Sequence, residues 1–417
     1  MRPTTYQLLL LCSSLWHHGA ALSVPDGQQQ PLVHPSVPPN RNDADDAHDA
    51  HDAHDPPSYR AELLNLHKQL VDVPSISGSE GPVAALLDQI LRSHGYTVKL
   101  QCLAQQPQDG QPPRCNVVAW PGPNTNGSLD NHVLVTSHID VVPPYIPYRL
   151  NGTAVGHIDM RAITPDTRIT GRGTVDAKAS VAAQIIATSG EGMKSFSTSL
   201  SNTTTNPRPR LRAAIFGEPT DNRLACGHKG IATVTLRAAG RAGHSGYPAR
   251  GVSATALLVR ALGRILDADL GRSARFGNTT VNVGWVGGGV AANVIAAQAS
   301  ARAAIRVAVG DVRTGAGMVE GRLREVLAGV EVGEGGLELV MEAGYGPVEC
   351  KCDVDGFDTM VANYGTDVPN LEGDHVSYLY GPGSILVAHG DDEGLRVRDL
   401  EDAVEGYKKL IKHALEG

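Results

Sequence analysis

Aromatic residues make up only 4% of the 417-residue chain, and Lys and Arg (36) are outnumbered by Asp and Glu (44), giving a net charge of −8. Nucleic-acid surfaces need a basic stripe and aromatic platforms for bases, so this balance argues against a nucleic-acid partner. After the N-terminal run no stretch is apolar enough or long enough for a membrane helix, so no membrane partner is expected. Cysteine is scarce, with six residues in all. Cys12 lies in the N-terminal run, which leaves Cys102, Cys115, Cys226, Cys350 and Cys352. Their odd number requires a free thiol or an intermolecular bridge. Cys102 and Cys115 are near enough for a local disulfide. "CKC" at 350–352 lacks the second pair that a zinc knuckle needs. The "GHSGYP" stretch does not fit G-x-S-x-G, and "GWVGGGVAAN" lacks the third glycine of a dinucleotide loop.

What is present begins with "MRPTTYQLLLLCSSLWHHGAALSV". A basic Arg2, a short apolar run and then small residues follow the grammar of a secretory leader, here residues 1–22. Sequons at Asn126, Asn151, Asn202 and Asn278 agree with an extracellular, glycosylated protein. Residues 23–57 are Gln/Pro-rich and then repeat "DAHDAHDAHD". Such a segment cannot bury a core and reads as a disordered linker, with His48, His51 and His54 read as a solvated spacer.

From about Tyr59 amphipathic helices alternate with apolar strands: "HVLVTSHID" and "RLRAAIFGEP" read as strands of a sheet buried on both faces. This is the pattern of an α/β domain with a largely parallel sheet. Near Ile231 the texture changes to alternating strands and amphipathic helices, and the first texture returns near Tyr345. The expected plan is a discontinuous domain, 58–230 with 341–417, and an inserted α+β domain at 231–340.

Ionisable residues gather at strand ends. His138 and Asp140, two apart, point the same way at the end of a buried strand. They could be a metal ligand and the carboxylate that orients it, or a strand-end histidine satisfied by its neighbour. Asp176 sits in "GRGTVDAK", a glycine-rich turn before a helix, as a metal ligand or a helix cap. Glu218 ends another buried strand, and His389 follows a strand-like run. Zinc accepts both imidazole and carboxylate donors, so their recurrence at strand ends points to a metal centre.

Taken in order, "SHIDVVP", "GRGTVDAK", "FGEPT…GHKG", "GHSGYPARGVSA" and "YGPGSILVAH" resemble the M20 metallopeptidases, especially secreted fungal probable carboxypeptidases, over residues 59–417. The resemblance implies a zinc-peptidase-type α/β domain, with a mostly parallel mixed sheet, and an inserted lid that often dimerises, so a homodimer is expected. It implies two Zn2+ ions, with His138 and His389 each binding one, Asp176 bridging and Glu218 completing the second site. Asp140 would orient His138. In the lid His244 would help bind the substrate or the developing oxyanion, and Asn293 and Arg306 would contact the substrate carboxylate. A guanidinium suits that role through two parallel hydrogen bonds. The substrate would be a small peptide or an N-acyl amino acid, and the lid does not choose between them.

The chain departs from the family at one place. An adjacent Glu pair, one member the general base and the other a zinc ligand, should follow the Asp176 helix on a further central strand. Here "IIATS" runs straight into "GEGMKSF", and Glu191 falls beyond the position of that pair. About twenty residues, a strand and its connection by ordinary lengths, are missing. The gap reads as omitted coding sequence, as an inactive binding protein on the same fold, or as recruitment of Glu191. In each case the sheet must close by other means.

Overall fold

A computed structural model describes residues 8–13, 55–103, 113–121, 132–151, 160–189, 211–330 and 333–416. Asn126, Asn202, Glu191 and the three linker histidines lie outside them. Helices α1 (Arg60–Asp72) and α2 (Gly81–Ser93) open the first domain. Helix α2 starts with a proline in its first turn and is followed by Gly95 at φ +82°, the left-handed position that glycine fills without penalty.

The central sheet has six strands. Strand β1 is Leu8–Ser13, β2 Tyr96–Cys102, β3 Cys115–Pro121 and β4 Val133–His138. Strand β5 is Ala213–Gly217. Every residue of β4 and β5 is buried, which is why both read as unbroken apolar runs. The last strand of the sheet, Val376–Tyr380, pairs parallel with β5, β5 with β4, and β4 with β1. Strands β3 and β2 then continue antiparallel. Helix α3 (Lys178–Ser189) is buried from Lys178 through Thr188, and its alanines let it lie close to β4 and to the C-terminal helix Val397–Glu416.

The sheet closes in a way that the leader reading does not anticipate. Residues 8–13 lie between β3 and β4, with Leu8 opposite Val133 and Ser13 opposite His138. A slot one strand wide stands beside the His138 strand, and a six-residue apolar run has the length to fill it. Leader and buried strand share a composition, so the sequence alone does not separate them.

The inserted domain is a four-stranded antiparallel sheet. Preceding it, β6 (Leu224–His228) belongs to a small sheet at the base. Strands β7 (Gly230–Ala239), β8 (Thr280–Gly288), β9 (Gln298–Val307) and β10 (Gly336–Tyr345) stand in the order β8-β9-β7-β10. Their inward residues pack on helices Ala254–Leu266 and Gly315–Ala328, with Val234, Leu236, Leu258 and Leu323 in a core distinct from that of the central sheet. The chain crosses between domains at Gly230 and Gly346. A Cβ would lie 2.1 Å from the Tyr345 carbonyl oxygen at the first and 1.9 Å from that of Asp311 at the second, so both crossings demand glycine.

The Cys102–Cys115 disulfide forms as expected, across the directly paired ends of β2 and β3. Cys226 is bridged to Cys352, 126 residues further on. The return of the chain beside β6 brings the two together, and local sequence carries no sign of it. Cys350 is the buried free thiol, with burial raising its pKa to about 12.

Candidate metal centre

The strand order delivers His138, Asp176, Glu218 and His389 to one cavity of about 170 Å³, together with Ser77, Asp140, Tyr364 and Arg306. His138 ends β4, and Glu218 follows β5 on the neighbouring parallel strand, so both emerge at the carboxyl edge of the sheet. His138, Asp176 and Glu218 each offer a donor atom within 4.8 Å of the others. A larger concavity of about 970 Å³ runs along the lid sheet past Trp285 and Val290 and contains none of these groups.

Asp176 is the hub. One oxygen lies 2.8 Å from His138 Nε2 and the other 3.0 Å from His389 Nε2. His138 Nδ1 faces the Asp140 backbone carbonyl at 3.1 Å and its carboxylate at 3.4 Å. The Ser77 hydroxyl donates to the other Asp140 oxygen at 2.6 Å. Ser77 and Tyr364 lacked any sequence signal. The ring of His138 is therefore oriented by Asp140 from one side and meets Asp176 in the cavity on the other, the arrangement of a carboxylate-buttressed ligand.

The ionisable groups of the cavity perturb one another strongly. Burial pushes His138 down, but hydrogen bonds to Asp140 and Asp176 outweigh it and hold it well above the ordinary imidazole range. Burial also pushes Asp176 up, and the two imidazoles more than reverse this. Glu218 is driven well above the usual carboxylate range by burial, reinforced by Asp176. Two imidazoles and two buried carboxylates converging on one cavity fit a divalent ion that would stabilise their charged, ligating forms.

Arg306 comes from the lid, on β9, and lines the same cavity. Its Nη1 is buried with no hydrogen-bond partner among the described residues. The structure does not bring His244 or Asn293 to this cavity. Both are exposed on the lid, where Ser245 N donates to the Asn293 carbonyl and Gly246 N donates to His244 Nδ1. No glutamate pair lines the cavity among the described residues, and the strand flanking His138, "LLLLCS", holds no acid.

A largely parallel α/β sheet, ligand-type side chains at its carboxyl edge and an inserted sheet domain are the features of a peptidase-type hydrolase. The comparisons with known proteins make this specific. Residues 226–318 match the peptidase dimerisation domain. A peptidase M20 domain-containing protein of Sordaria macrospora is 53% identical, over 86% of each chain. A probable carboxypeptidase of Uncinocarpus reesii is 41% identical, over 85% of this chain and 87% of its own. The chain belongs to the M20 peptidase family. The fold is shared with a tripeptidase of Staphylococcus aureus (TM-score 0.60, 19% identity, 86% of this chain and 99% of that one). It is shared also with an M20 family metallo-carboxypeptidase of Sulfolobus solfataricus (TM-score 0.56, 15% identity, 85% and 99%).

Proposed function

We propose that the chain is a zinc-dependent exopeptidase of carboxypeptidase type, acting on the bond next to a free carboxylate of a small peptide. The observation that carries this reading is the buried, unpartnered Nη1 of Arg306 in the cavity of the metal candidates. A buried guanidinium nitrogen without a partner is costly, and a carboxylate satisfies it with paired hydrogen bonds. The names of the fungal relatives point the same way. An N-acyl amino acid carries the same carboxylate and is the competing substrate.

His138, Asp176, Glu218 and His389 would hold the zinc, and Asp140 would keep the His138 ring in register. When bound, zinc polarises the scissile carbonyl and lowers the pKa of a water. The expected count of two ions needs a further carboxylate beside His138, and metal analysis of the purified protein decides it. General acid–base help supplies roughly 10²–10⁴-fold in rate. With no free carboxylate base among the described cavity residues, turnover is expected to fall short of relatives with the Glu pair by about that factor. Binding without turnover would support a binding protein on the same fold.

Arg306→Ala is expected to raise KM about 10- to 100-fold, since hydrogen bonds to charged groups are worth about 1.5–3 kcal/mol. Assays would compare peptides with free and amidated C-termini. Equal loss on both, or none on either, removes Arg306 as the carboxylate anchor.

The lid would pair two copies as a homodimer, which light scattering tests. Two disulfides and the exposed sequon asparagines Asn151 and Asn278 support an oxidising, extracellular setting. No described helix is long and apolar enough to cross a membrane. Glycosidase treatment of protein from a eukaryotic host is expected to lower its mass, and an unchanged mass would remove the glycoprotein reading. N-terminal sequencing shows whether residues 8–13 remain in the sheet or leave with a leader.

A further inference from the structure

Asp176 and His389 stand on separate turns, yet on the proposed reading both would face one ion, and the Asp176 carboxylate lies 3.0 Å from His389 Nε2. Glu393 and Arg172, each 1% exposed, lie behind those turns and touch neither the Asp176 carboxylate nor the His389 ring. One Glu393 oxygen accepts the backbone N–H groups of Gly173 at 2.9 Å, Val175 at 3.1 Å and Asp176 at 3.2 Å. The other accepts from Arg172 Nη1 at 2.7 Å. The same guanidinium donates to the carbonyls of Gly390 at 3.0 Å and His389 at 3.2 Å. His389 has φ +67°, a left-handed backbone uncommon for a residue with a side chain, and Arg172 ties down its carbonyl.

We propose that Arg172 and Glu393 form a positioning pair that sets metal affinity by locking the Asp176 turn to the His389 turn. The proposal rests on the metal centre described above. One carboxylate gathers three N–H groups from the first turn, and its partner gathers two carbonyls from the second. The ion pair between them fixes the distance from one turn to the other. Glu393 sits in "GDDEGL", where it looks like one of several solvent-facing acids; only the fold shows it buried.

Zinc dissociation constants, from competition with a chromogenic chelator, test the pair in the full chain. Glu393→Gln keeps an oxygen for the N–H groups but leaves Arg172 buried and uncompensated. Arg172→Lys keeps the charge but loses the fork that reaches both carbonyls. Each variant is expected to weaken zinc binding about 10- to 100-fold, the usual effect of losing a partner behind a ligand. The buried pair Arg60–Glu401, remote from the cavity, is the control: Glu401→Gln is expected to lower the melting temperature and leave zinc affinity unchanged. In a His389→Ala background the effect of Arg172→Lys should largely disappear. Folded Glu393→Gln and Arg172→Lys proteins that bind zinc like wild type would overturn the proposal. So would a Glu401→Gln protein weakened as much, or failure of both site variants to fold, since the pair would then be structural only. A wild-type chain that binds no zinc would instead remove the metal centre itself.

Discussion

Asp176→Asn is expected to abolish stable zinc retention, with a loss larger than the roughly 10- to 100-fold set by groups behind the ligands. The substitution is nearly isosteric, so the turn keeps its shape while the charge disappears. Asp176 is the one described residue whose two oxygens reach both imidazoles, at 2.8 and 3.0 Å. An amide offers a single weak donor to a metal and cannot neutralise it. The metal-free protein gives an independent readout. With the carboxylate gone, burial pulls His138 down and the Asp140 hydrogen bond and the Glu218 charge still oppose it, so its pKa is expected to fall from its raised position. Histidine ring resonances followed against pH by NMR report this directly. Salt should do little to either effect, because buried pairs are poorly screened. A folded Asp176→Asn protein with wild-type zinc content would sink the assignment of Asp176 as the shared ligand.

Three of the candidate ligands follow local rules in the sequence, whereas His389, expected after a strand-like run, lies in a turn. His138 and Asp140 end an apolar strand and share a face by alternation, and the glycine turn marks Asp176. The shift near Ile231 falls one residue after the start of β7, but the boundary expected at 340 falls inside β10, which runs from Gly336 to Tyr345, so the strand belongs whole to the inserted sheet. What escaped reading depends on long-range closure. Cys226 and Cys352 lie 126 residues apart, on either side of the inserted domain. Glu393 is an acid among acids until the Asp176 turn wraps it. Leu8–Ser13 has a leader's composition, and its place beside β4 follows from a slot left in the sheet, not from any period of its own.

Acidification from about pH 7 to about pH 5 is expected to destabilise the fold through two histidines outside the metal centre. His67 is fully buried on α1 against Tyr148, and burial lowers its pKa from 6.5 to about 3, outweighing the backbone of Thr174, which pulls the other way. His228 is likewise buried and is lowered to about 4, chiefly by burial. Its Nδ1 faces the Lys229 carbonyl at 2.8 Å and its Nε2 the Thr366 hydroxyl at 3.0 Å. That hydroxyl also accepts from Val368 N, so its proton is free for Nε2, which accepts it as the neutral ring must. Between these folded values and 6.5 the unfolded chain binds protons that the folded chain refuses, so stability falls as pH falls. At about 1.36 kcal/mol per pH unit, each ring loses about 2 kcal/mol by about pH 5. His138 and His389, raised instead of lowered, act in the opposite direction in metal-free protein, so the isolating comparison is with single variants. His67→Leu and His228→Leu should each reduce the acid-induced loss in denaturant-derived stability by about 2 kcal/mol. An unchanged pH dependence in both would show that these rings are protonated or hydrated in the folded state, and the buried neutral assignment would fail.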